Sequence, residues 1–506
     1  MNTFAPPVRT HRAFADEATF QDLMAERLRQ APWLMLSAAL HTLLLLLIWV
    51  LVPADKKPVT QARVAVQPNE QIEVTPPPPP PPPETKPEDK VEETPIVDTV
   101  VADNPDDSPS EFESEVTATP SAFDSVGDNP AVGLGGNAGG PYGERGNGSK
   151  GRRGSRAPHP NVGPGLEWLA AHQDEDGKWD ADGFMKHDDP TQALSGGPGN
   201  PVHDIGVTGL ALLAFLGDGN SMRAGQYRDV VKRGVSWLRS QQEPDSGRFG
   251  GAVSSDFVYD HAIATYALCE ACGLSGSSLL RPAVQKAIGY LEAHRNPYSV
   301  WRYQPRDGDR DLSVTAWCVM AYESARYFGF EVNEQALKLA AVYLDEVSDP
   351  TGRHGYIKAG DPSSRKVGEH ATRFPVEKGE AMTAVGLFCR FFLGQDPRET
   401  PVMKAAAARL MTRPPVWDEK SGAIDHYYWY YATYAMFQMG GPQWRTWQQQ
   451  VDRAVGKNQH QDRGDKNRYG SWDPVGVWGE DGGRVYSTAI LTLTMQANYR
   501  YTRLVR

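Results

Sequence analysis

Cysteine is scarce, four residues in 506. That argues against a disulfide-stapled scaffold. Cys269-x-x-Cys272 has no second pair and no well-spaced histidine, so it does not read as a zinc site. Positive charge is in deficit as well. With 52 Lys+Arg against 63 Asp+Glu the net charge is −11, which argues against a nucleic-acid binder. No Walker loop, dinucleotide fingerprint or nucleophile–base pair is present, and neither a cofactor nor a metal is expected. Tryptophan is nearly missing from the first 160 residues, two of thirteen, whereas 23 of the forty prolines lie there. A tether followed by a globular part is implied.

One long hydrophobic run exists. Trp33 to Val52 carries no formal charge, and twenty residues at ~1.5 Å each match a bilayer core of ~30 Å. The preceding segment is long and contains Asp16, Glu17, Asp22 and Glu26, and no small-x-small site follows. An uncleaved membrane anchor is expected rather than a signal peptide. Arg27 and Arg29 before the span are matched by Lys56, Lys57 and Arg63 after it, so charge counting leaves the orientation open. Ser37 and His41 lie four apart, on one face near mid-span. Polar groups at that depth mark a partner contact, or a serine bonded to its own backbone beside a tolerated neutral histidine. Pro76–Pro83 follow, favouring a semi-rigid polyproline II rod. Beyond them lie an acidic stretch from Glu84 to Glu115 and a Gly-rich, then basic stretch over 134–156, whose compositions favour a solvated linker.

The Ser-x-x-x-His anchor followed by a proline rod resembles the N-terminal segment of TonB-type energy transducers. The resemblance covers about residues 30–90. It implies an N-in, C-out topology in the cytoplasmic membrane, a periplasmic C-terminal domain, and a proton-channel-type membrane partner facing Ser37 and His41. The expected organisation is a cytoplasmic segment 1–32, a transmembrane helix 33–52, a disordered linker 53–160 and a folded domain 161–506.

The folded part repeats. Gly165-Leu166-Glu167-Trp168-Leu169 leads to Gln173, Gly177 and Trp179, and Gly234-Val235-Ser236-Trp237-Leu238 leads to Gln242, Gly247 and Phe249. Looser copies run over Ala287–Tyr303, with Arg295 replacing Gln, and over Leu339–Tyr356, ending at Gly355-Tyr356. A last copy keeps little more than Gly470-x-Trp472. Between them lie more apolar helices with a threonine at matching phase: Thr208, Thr265, Thr315, Thr383, Thr433 and Thr488, spaced 57, 50, 68, 50 and 55 residues apart. Each unit holds one amphipathic and one nearly all-apolar helix, read as outer and inner. Six such hairpins give an all-α fold, a closed α/α toroid of about twelve helices. The Gln amide can serve backbone groups where two helices meet, while the aromatic closes the seam.

This pattern is similar to the QW repeat of squalene and oxidosqualene cyclases and of protein prenyltransferase β subunits. Several stretches (DLSVTAWCVMAYESA, HYYWYYATYAMFQMGG, GSWDP, GGRVYSTAI) look like membrane-anchored members of that superfamily whose substrate is not established. Polar clusters open the inner helices: His203/Asp204, Asp256/Asp260/His261, Asp307/Asp309/Asp311, Glu377/Glu380, Asp425/His426 and Glu480/Asp481/Arg484. Helix capping explains such acids, and their convergence would also make an acidic mouth. Protonating cyclases need a neutral carboxylic acid and an aromatic cavity. Asp307, Asp309 and Asp311 are the nearest catalytic candidates. They depart from the cyclases' DxDD pattern, with Arg310 where an adjacent acid would stand and Leu312 at the fourth position. Tyr427, Tyr430, Tyr431 and Tyr434 share one face of the fifth inner helix, with Tyr266 and Trp317 available from others, as ligand-binding or core residues. Two functions follow. One is binding or transformation of a hydrophobic, isoprenoid-like molecule by a cyclase- or transferase-like repeat protein. The other is a non-catalytic envelope scaffold coupled through Ser37 and His41 to its membrane partner.

Overall fold

The computed structural model describes residues 41–42, 158–252, 254, 257–363, 365 and 368–501. The predicted anchor over 33–52 therefore lies outside the described residues, apart from His41 and Thr42, which are helical and exposed. The linker over 53–157 lies outside them too. Among the described residues no helix is long and apolar enough to cross a membrane.

From Val162 onward the chain alternates between two kinds of helix, as the repeat requires. The odd-numbered helices are α1 (Val162–Ala171), α3 (Arg228–Ser240), α5 (Arg281–His294), α7 (Glu334–Glu346), α9 (Pro401–Met411) and α11 (Gly441–Ala454). The even-numbered ones are α2 (Asp204–Gly217), α4 (Phe257–Ser275), α6 (Leu312–Tyr327), α8 (Ala381–Phe392), α10 (His426–Met439) and α12 (Gly479–Met495). Sequence decides which kind lies inside. Helix α3 (RDVVKRGVSWLRS) buries only Val231, Gly234, Val235, Trp237 and Leu238, one stripe at helical spacing. Helix α2 (DIGVTGLALLAFLG) is buried from Gly206 to Gly217, as an element covered on every side must be. Each even helix packs on the next, α2 on α4, α4 on α6, and so on to α12, which returns to α2. The odd helices pack outside this inner ring, and α1 bridges α12 and α2 at the closure. Among the described residues there is no sheet, only two isolated bridges, Gln242–Phe249 and Ser348–His354. The fold is the expected all-α double ring.

The seams explain the motif. Gln173 Nε2 donates to Gly177 O in its own loop and to Val230 O in the next outer helix, both at 3.0 Å. Gln242 does the same with Gly247 O and Ala283 O. The Trp179 indole donates to Leu169 O at 2.7 Å, and its backbone NH donates to the Thr208 hydroxyl at 3.0 Å. The repeated threonine is thus the inner helix's acceptor for the seam. Thr315, Thr383 and Thr488 repeat the contact with the NH of Trp301, His354 and Trp472. In the second unit His261 Nδ1 accepts from Phe249 NH instead. Gly177 has φ 101° and abuts the Arg233 backbone, and Gly470 has φ 88° and abuts Pro164. A Cβ at either would collide with that backbone.

Two alignments differ from the sequence reading. In the fourth unit the seam aromatic is His354 rather than Tyr356, because the chain turns at Gly352 (φ 85°) and not at Gly355. In the last unit a glutamine is present after all. Gln459 Nε2 donates to Gly470 O at 2.7 Å and to Asn161 O at 2.9 Å, closing the ring on its first residues. The wider spacing before Thr383 is a long connection from α7 to α8 with a short helical turn, Glu369–Arg373.

Candidate functional site

The even helices present their N-terminal turns to one mouth, where a cavity of about 320 Å³ opens. All six contribute. Gly206, Val207 and Leu210 come from α2, Tyr259, Asp260 and Ile263 from α4, and Ser313 and Trp317 from α6. Met382 comes from α8, Tyr427 from α10, and Asp481, Gly482 and Tyr486 from α12. Loop residues His203, Tyr303 and Trp478 complete the wall. Six aromatic side chains dominate it, with polar groups confined to a few places. Asp260 and His203 form a pair, Asp260 Oδ2 to His203 Nδ1, at 3.2 Å. Gly206 makes room for this pair, since a Cβ there would strike the Asp260 carboxylate. Ser313 and Tyr427 share a hydrogen bond of 2.8 Å between their hydroxyls.

The tyrosine face of α10 divides at this cavity. Tyr427 and Trp317 line it, whereas Tyr266, Tyr430, Tyr431 and Tyr434 lie below and fill the barrel. Trp317 stacks on Tyr430 (centroids 6.1 Å, 11° between planes) and meets Tyr431 edge-on at 5.6 Å. Tyr434 donates to Leu493 O at 2.7 Å, and the Tyr266 hydroxyl bonds that of Tyr501. Those four rings are therefore a packed floor rather than a wall. The barrel's far end is plugged by the C-terminal turn. Arg500 is fully buried, gripping Glu270 with 2.8 and 2.9 Å bonds and donating to Leu213 O at 2.6 Å.

The three aspartates before α6 do not converge. Asp307 and Asp309 sit on an exposed loop that turns at Gly308 (φ 83°). Asp309 pairs with Arg302 at 2.6 Å, and Asp307 accepts the Asp309 NH. Arg310 points away, to Glu346 at 2.6 Å and the face of Tyr343. Asp311 alone is buried. It caps α6 by accepting the Val314 NH at 2.8 Å, while Arg302 stands 3.7 Å from its second oxygen. Burial pushes its carboxyl up to about 7, against the pull of that NH and of Arg302. It lies behind the cavity wall: Tyr356 stands beside it and shares a 2.6 Å bond with the lining Tyr303. Similar burial pushes Asp425, the cap of α10, above its ordinary range and drives His426 down to about 3.

Among the described residues no group of three or more His, Cys, Asp or Glu could hold a metal ion. The four cysteines are free and buried. Of the polar clusters read from sequence, His203, Asp260 and Asp481 reach the cavity. Asp204 turns outward to Lys178 at 2.9 Å, and His261 is spent on the seam. Asp256 lies outside the described residues. Tyr259, Tyr303, Trp478 and Tyr486 were not singled out by sequence. Each is isolated in the chain, and only ring closure brings them together. Their one signal was proximity to the start of an inner helix.

No protein-family model matches the sequence, and no curated protein matches it either. Solved structures are similar in fold. A type II terpene cyclase from Scytonema aligns with a TM-score of 0.41 at 14% identity, covering 66% of this chain and 96% of its own. An α-amylase from Clostridium perfringens gives 0.46 at 10% identity, covering 69% and 99%. An α-1,6-mannanase of Salegentibacter sp. gives 0.45 at 8%, covering 67% and 98%. At such identities no residue role carries over, and the cavity has to be interpreted from its own side chains.

Proposed function

We propose that the ring binds an apolar, isoprenoid-like small molecule in the mouth cavity. One observation carries this. The first turns of all six inner helices converge on a single cavity of about 320 Å³ walled by Tyr259, Tyr303, Trp317, Tyr427, Trp478 and Tyr486. Ligand sites are commonly apolar hollows of ~300–1,000 Å³ with a few placed polar groups, and aromatic rings add area at low entropic cost. The test is quenching of tryptophan fluorescence by farnesol in the purified full chain. Saturable quenching, lost in Trp317→Ala and in the cavity-filling Val207→Trp, supports the reading. Unchanged titrations in both variants contradict it.

A second reading, acid catalysis of the cyclase or isomerase type, is favoured by Asp311. This buried acid, its carboxyl raised to about 7, is roughly half protonated at neutral pH and connects to the cavity wall through Tyr356 and Tyr303. Product formation from a polyene alcohol that disappears in Asp311→Asn with binding retained would establish it. From sequence alone, we also propose that residues 33–52 anchor the ring to the cytoplasmic membrane with the ring on its outer side. Ser37 and His41 then face a proton-channel-type partner. Photocrosslinks from that face that persist unchanged in His41→Ala would refute the coupling.

A further inference from the structure

Consecutive inner helices turn the same position to the cavity. Ser313, Met382 and Tyr427 each stand two residues after the acid at the cap of their helix, Asp311 in α6, Glu380 in α8 and Asp425 in α10. All of them line the cavity, and Ser313 and Tyr427 bring hydroxyls to it. Those hydroxyls bond each other at 2.8 Å, although α8 separates their helices in the ring. A further hydroxyl comes from α12. Tyr486 lines the cavity near Tyr427, and Gly482 makes room for it, since a Cβ there would strike the Tyr486 side chain.

The wall's other polar side chains are already partnered. Tyr303 shares its 2.6 Å bond with Tyr356, and Tyr259 is hydrogen-bonded to Tyr303. His203 faces Asp260 at 3.2 Å, and the Trp478 indole is turned to Asp425. Tyr486 differs. Among the described residues no hydrogen bond holds its hydroxyl. The Ser313–Tyr427 bond uses one of that pair's two hydroxyl protons, and the other is left to turn to the cavity that both line. Burial pushes the Tyr427 and Tyr486 phenols up, so both keep their protons. A hydrocarbon seated against these hydroxyls would strip their water and return no partner, a cost that an oxygen on the ligand removes. A carbonyl oxygen, with two lone pairs, accepts from two donors at once.

Building on the reading that the cavity holds an apolar ligand, we infer that this ligand is an oxygenated isoprenoid of the ketone or quinone type, its carbonyl oxygen held by the hydroxyls of Tyr486 and Tyr427. Ser313 positions the Tyr427 hydroxyl. The test titrates two probes into the full chain: farnesylacetone, and the hydrocarbon in which CH2 replaces its carbonyl. Tyr486→Phe and Tyr427→Phe should each weaken the ketone by about threefold or more, the scale of one neutral hydrogen bond, and leave the hydrocarbon within about twofold of the parent. Ser313→Ala should also weaken the ketone alone, and by less. Retained hydrocarbon affinity serves as the check that each variant is folded. A ketone bound equally by the parent and both phenylalanine variants, or a hydrocarbon weakened as much as the ketone, overturns the inference and leaves the apolar cavity standing. Failure of both probes to bind the parent overturns the cavity reading itself.

Discussion

Asp311 and His426 are buried beside the cavity, and each meets the cost of burial by giving up its charge. The Asp311 carboxyl is raised to about 7. The stability tied to its neutral form is therefore complete below about pH 4 and is lost as pH rises through 7. Asparagine can still cap α6. Asp311→Asn should gain roughly 2–3 kcal/mol relative to the parent between pH 5 and pH 8, read from urea unfolding. His426 has the opposite sign. Its imidazole is lowered to about 3 and stacks on Trp417 with neither ring nitrogen hydrogen-bonded. Stability tied to its neutral form is present above pH 6.5 and lost as pH falls. His426→Phe should be about 2 kcal/mol more stable than the parent at pH 5 and near neutral at pH 8. Parallel pH profiles for parent and variant would refute either assignment. The sequence marked both residues as starts of inner helices, but spacing could not show that a turn at Gly308 sends Asp307 and Asp309 to solvent and Asp311 inward.

Helices and seams were the most legible level, because every unit solves the same packing problem with the same residues. Gln173 and Gln242 were visible since each stands four or five residues before its glycine. Gln459 was not, because eleven residues separate it from Gly470. His354 was missed because it replaces the aromatic with a ring that also accepts from Arg390 Nε at 3.2 Å. Gln459 closes the ring and also accepts from Asn161 Nδ2 at 2.6 Å. Gln459→Ala should destabilise the chain by ~1–3 kcal/mol, the usual range for buried backbone acceptors left without a donor. A loss below about 0.5 kcal/mol, the scale of a surface substitution, would mean the seam is held elsewhere.

At the scale of the whole molecule the sequence foretold a ring with the inner-helix starts gathered at one mouth, and not how much of the barrel behind that mouth is filled. The tyrosine stripe of α10, read from sequence as ligand-binding or core residues, divides between the two: Tyr427 lines the cavity, while Tyr430, Tyr431 and Tyr434 pack solidly with Tyr266, and Arg500 with Glu270 seals the end below them. Arg500→Met removes the buried guanidinium that grips Glu270 and should cost ~3–5 kcal/mol. Adding Glu270→Met should recover much of that loss, and a double variant no better than the single would show that the plug works by shape alone. The hollow that remains is walled by aromatic rings and placed where six helices begin. Its most direct test is photolabelling of the full chain with a diazirine analogue of farnesol, followed by mapping of the labelled residues. The label should fall on Trp317, Tyr427 and Tyr486 and be displaced by excess farnesol. Labelling spread over the outer helices α1, α3 and α5, or unaffected by competitor, would contradict a ligand site in the mouth of the ring.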